Sequence, residues 1–420
     1  MNVPAFFAVF AVFTAALAPL FIFLGLITLK ALGRRRAPAP VGVTPPRFLV
    51  VIPAHDEGGG IRRTVASCLA ADYPPDRLTV CVIADNCSDD TAAVARDAGA
   101  VVVERHAPDR RGKGHALDYL FNLTPSDVAP AGHDAAVVID ADSVLDPGAL
   151  VAFAAALARG GQWLQGYSTV DNSADSPRTR LLTYAFSLVN GVWLLGQEGL
   201  GMGVALRGNG MCFASGALAR VPWRAYGLTE DAEFSWVLRT RGERAHFVPE
   251  AAVRSVMLTR FGPAAAAQRS RWEWGRRSLR RQFLAPLLRS PTLTLRLKAL
   301  YLVDLLFPPM VTLLILWGVA LTVHLVAAFD ARLVPLSRGL LPVHAVMAAA
   351  LGLYAVSPVL VLGLPARYLL CLLDLPSYAA WKAVVALRGK PTGWMRTPRE
   401  HRRVTPVHAG GGPRPNFDGG

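Results

Sequence analysis

The stretch Ala135-Ala136-Val137-Val138-Ile139-Asp140-Ala141-Asp142 decides the fold class, because five apolar residues run straight into two carboxylates one residue apart. A short apolar run of this kind reads as a strand buried on both faces, as in sheets covered by helices. An aspartate at its end points into the crevice where open α/β folds bind ligands. Alone, the triplet serves equally as a turn capping the helix after Pro147. The surrounding pattern decides between the two.

Upstream, residues 48–52 form another apolar run, ending in Pro53-Ala54-His55-Asp56-Glu57 and followed by a glycine-rich turn and a helix over 61–71. A second strand over 78–84 ends at Asp85. Asp89 or Asp90 then caps a helix through Ala98, 100–104 is a third strand, and 114–123 is a helix leading to the strand before Asp140. This alternation predicts an α/β domain with acidic residues on one rim of its sheet. Further on the pattern loosens, with a strand over 163–170, a helix over 181–195 and a glycine-rich turn entering a strand over 208–214. Thr229-Glu230-Asp231 opens a helix over 232–239. Acids there suit the helix dipole behind a capping Thr, and the same placement presents a carboxylate to a cleft. Gln268-Arg269-Ser270-Arg271-Trp272 reads either as an interfacial anchor or as a phosphate fork beside a stacking platform for a sugar.

The chain has 420 residues, 52% of them hydrophobic, and a mean hydropathy of +0.34, too apolar for a wholly soluble protein. Residues 3–29 carry no charge, which exceeds the ~20 residues that span a bilayer. Arg34, Arg35 and Arg36 follow this run, so it reads as an anchor whose start faces outward, not as a cleavable leader. Residues 305–329 and 339–365 are two further spans. Asp374, Pro376 and Lys382 interrupt 368–387, which reads as an interfacial helix. The net charge of +14 collects beside these segments and in 269–281, pointing to anionic lipid and a diphosphate and away from nucleic acid. Five cysteines without a C-x-x-C pair argue against a disulfide framework and a zinc site. The expected divisions are a membrane helix over 1–33, an α/β domain over 45–285, interfacial and membrane helices over 286–390, and a basic tail over 391–420.

In this order the motifs resemble the membrane-bound family 2 glycosyltransferases, a group that includes cellulose, hyaluronan and chitin-oligosaccharide synthases and bacterial exopolysaccharide enzymes. The resemblance covers about 45–274, the flanking spans and the tail Trp394-Met395-Arg396-Thr397-Pro398-Arg399. It implies an inverting enzyme with a Rossmann-like GT-A domain. That domain would be cytoplasmic, inserted between one N-terminal and two C-terminal transmembrane helices of a multi-pass inner-membrane protein. The implied donor is a UDP-sugar, with GlcNAc or Glc favoured, and the implied acceptor a glycan or lipid-linked hydroxyl. By resemblance, Pro53, Ala54, Glu57 and Asp85 hold the nucleoside with Lys113 nearby, and Arg271 meets the leaving diphosphate. Asp142 with Asp140 binds Mg2+ or Mn2+, Asp231 with Glu230 beside it is the base, and Gly210, Gln268 and Trp272 border the acceptor. His55-Asp56 stands where an Asn is commoner, and Gly208-Asn209-Gly210 where a small hydroxyl residue often stands. Two alternatives remain open: a processive synthase working with a partner subunit or oligomer, and a polyprenyl-phosphate sugar transferase.

Overall fold

The chain is described here from a computed structural model over residues 3–34, 44–123, 132–329 and 334–387. Helix α1 (Val3–Leu32) leads into β1 (Phe48–Ala54), α2 (Ile61–Leu69), β2 (Leu78–Asp85), α3 (Thr91–Asp97), β3 (Val101–Arg105), α4 (Lys113–Phe121) and β4 (Ala135–Val138). Next come β5 (Ser143–Leu145), α5 (Ala149–Ala158) and β6 (Trp163–Val170). A helical rod then consists of α6 (Pro177–Phe186), a π turn (Ser187–Val192) and α7 (Trp193–Gly199). The domain closes with β7 (Met211–Ala214), α8 (Ser215–Arg220), α9 (Glu230–Thr240), β8 (Ala245–Ser255) and α10 (Pro263–Arg289).

The strands form one sheet in the order β3-β2-β1-β4-β7-β6-β8-β5. The first four are parallel, β7 runs antiparallel to both neighbours, and β5 runs antiparallel to β8. Successive side chains of a strand face opposite ways. Val50 and Ile52 therefore join Val80, Val82, Ile61 and Val65 in one cluster, while Leu49 and Val51 join Cys81, Ile83 and Leu117 in another. Both faces are dry, which accounts for the uninterrupted apolar runs at β1, β2 and β4.

After α10 come α11 (Leu295–Leu306), α12 (Met310–Ala327), α13 (Val334–Leu362), a 3-10 turn (Ala366–Asp374) and α14 (Leu375–Leu387). Four helical stretches, Phe7–Leu32, Met310–Ala327, Ser337–Leu362 and Ala366–Val385, are long and apolar enough to cross a membrane by length and composition. The sequence reading expected three. The span expected to open at residue 305 begins at Met310, because Pro308-Pro309 separates it from α11. The fourth stretch changes from 3-10 to α at Asp374, and its α-helical half lies on α10, with Lys382 Nζ 3.3 Å from Glu273 Oε1 and Phe261 against Trp381. The basic tail from 391 and the 394–399 motif lie outside the described residues.

Close backbone contacts join the apolar helices to the domain. A Cβ on Gly196 of α7 would sit 2.3 Å from Ile27 O of α1. Arg34 Nη2 pairs with Glu250 of β8 at 2.8 Å. Asp304 of α11 accepts from Arg239 Nη1 (2.9 Å), Gln197 Nε2 (3.0 Å) and Trp193 Nε1 (3.2 Å). Between α12 and α13, His324 Nδ1 lies 2.7 Å from His344 Nε2, both rings buried, with Phe7 of α1 packed edge-on to His324.

Candidate active site

Three chain segments converge at the carboxyl end of β4. Asp140 and Asp142 flank a tight turn closed by Ser143 N donating to Asp140 O at 3.0 Å. Lys113, the first residue of α4, donates to Asp140 Oδ1 and to the carbonyl of Gly208. Glu230 and Asp231 begin α9, and a Cβ on Gly208 would lie 3.2 Å from Asp231 Oδ2 and 3.6 Å from Lys113 Nζ. Gly208 has φ +77°, a conformation that favours glycine. Its small size brings the two charged groups to one point.

The loop carrying Gly208 is held from beneath. Gln165 Oε1 accepts from Arg207 N (2.7 Å) and Gln165 Nε2 donates to Asn209 O (2.8 Å). Asn209 Nδ2 donates to Ser143 Oγ and Ser255 Oγ, both at 2.8 Å, while its Oδ1 accepts from Asp140 N at 3.1 Å. Gly210 lies inside the sheet: its N donates to Val138 O, its O accepts from Gly166 N, and a Cβ there would meet Val253 at 3.0 Å. The structure thus puts Gly208 and not Gly210 beside the acids, so the expectation that Gly210 borders the acceptor falls on a sheet position.

Helix α10 forms the opposite wall. A Cβ on Gly275 would lie 2.5 Å from Thr229 Oγ1, so α10 abuts the start of the Thr229-Glu230-Asp231 segment. Gln282 Nε2 also donates to Glu233 Oε1 at 3.2 Å. Arg271 shares the electrostatic surroundings of Glu230 and Asp140, and burial lowers its pKa against their pull. Trp272 is 37% exposed, an accessible ring, and Gln268 is half-buried.

Electrostatics separate the roles these groups can take. Burial works against the charge on Lys113, but Asp140 foremost, then Glu230 and Asp231, raise its pKa, so it stays protonated. Burial, then the Asp231 charge, push the Glu230 carboxyl up to about 7 despite Lys113. Burial also raises Asp231, opposed by its Ala232 amide, Lys113 and Arg207. A carboxylate pair poised toward neutrality can take up a proton.

The residues expected at the nucleoside lie at the ends of β1 and β2. Asp85 is buried and ion-paired with Arg105 of β3, a partner the sequence reading missed. Asn86 Nδ2 also donates to Asp85 Oδ1 at 2.9 Å, and His55 Nδ1 lies 2.7 Å from Asp85 O. Asp85 is therefore braced by protein groups at the end of β2. Pro53 and Ala54 end β1, and Glu57 N donates to Thr91 Oγ1 at 2.7 Å. The other acids here, Asp56 and Asp89, with Cys87 between them, come within metal-binding distance of one another. Both carboxylates accept from the crossing loops, Asp56 from Ser88 N (2.6 Å) and Asp89 from Gly58 N (3.1 Å). For a divalent cation, Asp140 and Asp142 offer hard oxygen donors at a partly open strand end, and that donor set fits Mg2+ or Mn2+.

Over 104 residues, 23% of this chain and 23% of the other, the sequence is 32% identical to a probable glycosyltransferase, YdaM, of Bacillus subtilis strain 168. The chain thus matches under a quarter of that relative's length. The structure resembles the mannosyltransferase PcManGT of Pyrobaculum calidifontis, solved with GDP-Man and Mn2+, at a TM-score of 0.56 and 19% identity over 91% of this chain and 99% of that one. It also matches glucosyl-3-phosphoglycerate synthase of Mycobacterium tuberculosis at a TM-score of 0.39 and 23% identity, over 60% and 83% of the two chains. The model of the glycosyltransferase-like family 2 matches residues 45–275, more than half of the sequence. By that match the chain belongs to glycosyltransferase-like family 2 and is a glycosyltransferase.

Proposed function

We propose that the enzyme moves a sugar from a nucleotide diphosphate to a hydroxyl of a glycan or lipid-linked acceptor at a membrane, with inversion. A UDP-sugar is the first donor to test, with glucose or N-acetylglucosamine favoured by the sequence resemblance. The observation that carries this reading is the meeting of Lys113, Asp140 and Asp231 around Gly208, with Arg271 in the electrostatic field of Glu230 and Asp140.

In the proposed reaction the bond from the sugar's anomeric carbon to the β-phosphate oxygen breaks, and its electrons leave with the nucleoside diphosphate. A new bond forms from that carbon to the acceptor oxygen, whose proton passes to the Asp231 carboxylate. Glu230, half-buried beside it and raised toward neutrality, keeps the local negative charge low until the acceptor arrives. Arg271 offers a two-pronged donor to the leaving diphosphate. Asp142, with Asp140, would hold a divalent cation that neutralises that diphosphate as a Lewis acid. Lys113 fixes Asp140 against the loop of Gly208. Trp272 supplies an apolar ring on which the acceptor sugar stacks.

The test is nucleotide release from a panel of UDP- and GDP-sugars by the full chain in detergent. Transfer should stop in EDTA and return with added Mn2+ or Mg2+. Asp142→Asn should lose this metal-dependent turnover. Near wild-type turnover in that variant would remove Asp142 from the metal site, and no release from any donor would sink the transfer reading.

A further inference from the structure

Beneath the Asp140-Ala141-Asp142 turn, three buried polar side chains meet. Ser143 opens β5, Ser255 closes β8 directly opposite it, and Asn209 stands in the loop of Gly208. Polar groups this deep are costly unless they are paired. Here they pair with one another. Asn209 Nδ2 donates to Ser143 Oγ and to Ser255 Oγ, both at 2.8 Å, and the two hydroxyl oxygens lie 3.0 Å apart. Outside the trio these side chains meet the acidic turn: Asn209 Oδ1 accepts from Asp140 N at 3.1 Å, and Ser143 Oγ donates to Asp142 Oδ1 at 3.3 Å.

The hydrogens of the cluster can be directed by elimination. Asp140 N only donates, so the amide oxygen of Asn209 must face it, and both amide hydrogens then point at the hydroxyls. Each hydroxyl has one hydrogen of its own to place. An ionised carboxylate only accepts, so Ser143 gives its hydrogen to Asp142 and receives one from Ser255. Every donor is used, and the chain ends on Asp142. At 3.3 Å the last bond is longer than a full charge-assisted one, so it orients the carboxylate more than it neutralises it.

We propose that Asn209 and Ser143, with Ser255 behind them, are positioning residues for the divalent cation. Asn209 grips the first residue of the turn through its amide oxygen and the second aspartate through the Ser143 hydroxyl, so one side chain sets both. The assignment rests on the reading of Asp142 as a cation ligand given above. Groups that orient a metal ligand in this way are worth about 10- to 100-fold in metal affinity. A cluster that merely joined β5 to β8 would leave that affinity unchanged.

The experiment counts free Mn2+ by electron paramagnetic resonance as it is titrated into the full chain in detergent. UDP or GDP is present and no sugar donor, so turnover does not enter. Ser143→Ala and Asn209→Leu should each weaken Mn2+ binding about 10- to 100-fold, while nucleotide affinity in EDTA stays near that of the wild type. Ser255→Ala should cost less than either, because Asn209 still holds Ser143. A merely structural role would lower the melting temperature and leave Mn2+ affinity unmoved. Near wild-type Mn2+ affinity in Ser143→Ala overturns the proposal, as it does in Asn209→Leu; should one of these fail to fold, the other decides. Asp142→Asn separates the proposal from the reading beneath it. Mn2+ binding lost in Asp142→Asn but kept in the other two variants sinks the positioning role alone. Binding that survives Asp142→Asn, or none in the wild type, sinks the cation ligand and the proposal together.

Discussion

In the proposed reaction, Asp231 is the group whose removal would separate chemistry from binding. Asp231→Asn keeps the size of the side chain and the start of α9, so donor affinity should persist while turnover falls by about 10² to 10⁴, the range for a lost general base. Isothermal titration of the nucleotide alongside single-turnover kinetics checks this; a parallel loss of nucleotide affinity would move Asp231 to the donor site. The raised carboxyl pair also sets a pH dependence. Its protonated form is favoured in the folded state, which binds more protons than the unfolded chain between the ordinary carboxylate range and about 7. Stability from this pair is present at low pH and declines as pH rises through that window. Activity runs the other way, because the base works ionised: the acidic limb of kcat/KM should lie near neutrality and belong to the pair. A limb near the usual carboxylate range would refute the coupling. At this scale the sequence was half legible. Asp140, Asp142 and Asp231 could be picked out because acids at strand ends and helix starts stand against apolar runs. Arg105 and Arg207 could not, since their importance comes from partners 20 and 18 residues away in sequence and from the π turn.

Among the elements, α4 and α10 approach the segment leading into α9 through glycines. A Cβ on Gly114 would lie 2.1 Å from Ala225 O, a backbone atom with little freedom to retreat. Gly114→Ala should therefore lower stability by about 1–3 kcal/mol, the usual cost of overpacking, and displace Lys113 next to it. Thermal unfolding in detergent gives the first effect, and a rise in donor KM the second; an unchanged melting temperature would show that the loop yields. Strands β1, β2 and β6 were readable because both faces are buried. Strand β8 was not: His246, Pro249, Glu250 and Arg254 break its apolar pattern near the outer side of the sheet, and β5 has only three residues. The rod from Pro177 to Gly199 was seen only in its middle, since nothing in Ser187 to Val192 announces a π turn.

For the whole molecule, the proposed orientation places the α/β domain in the cytoplasm and the turn after α12 outside. A cysteine at Phe329, which is 92% exposed, should react with an impermeant reagent on intact cells, and one at the exposed Pro291 should not. The reverse pattern would invert the topology. The apolar spans were the most legible part of the chain, because length and absence of charge suffice to find them. How they grip the domain was not, since it depends on Gly196 against Ile27 and on Asp304 reaching three partners. The imidazole pair His324 and His344 bears on biogenesis. Either helix entering lipid alone would bring an unpartnered ring into hydrocarbon, whereas the two together satisfy one ring nitrogen each. Because the ribosome delivers α12 before α13, entry of the two as a paired hairpin would spare the His324 ring a passage through hydrocarbon without its partner.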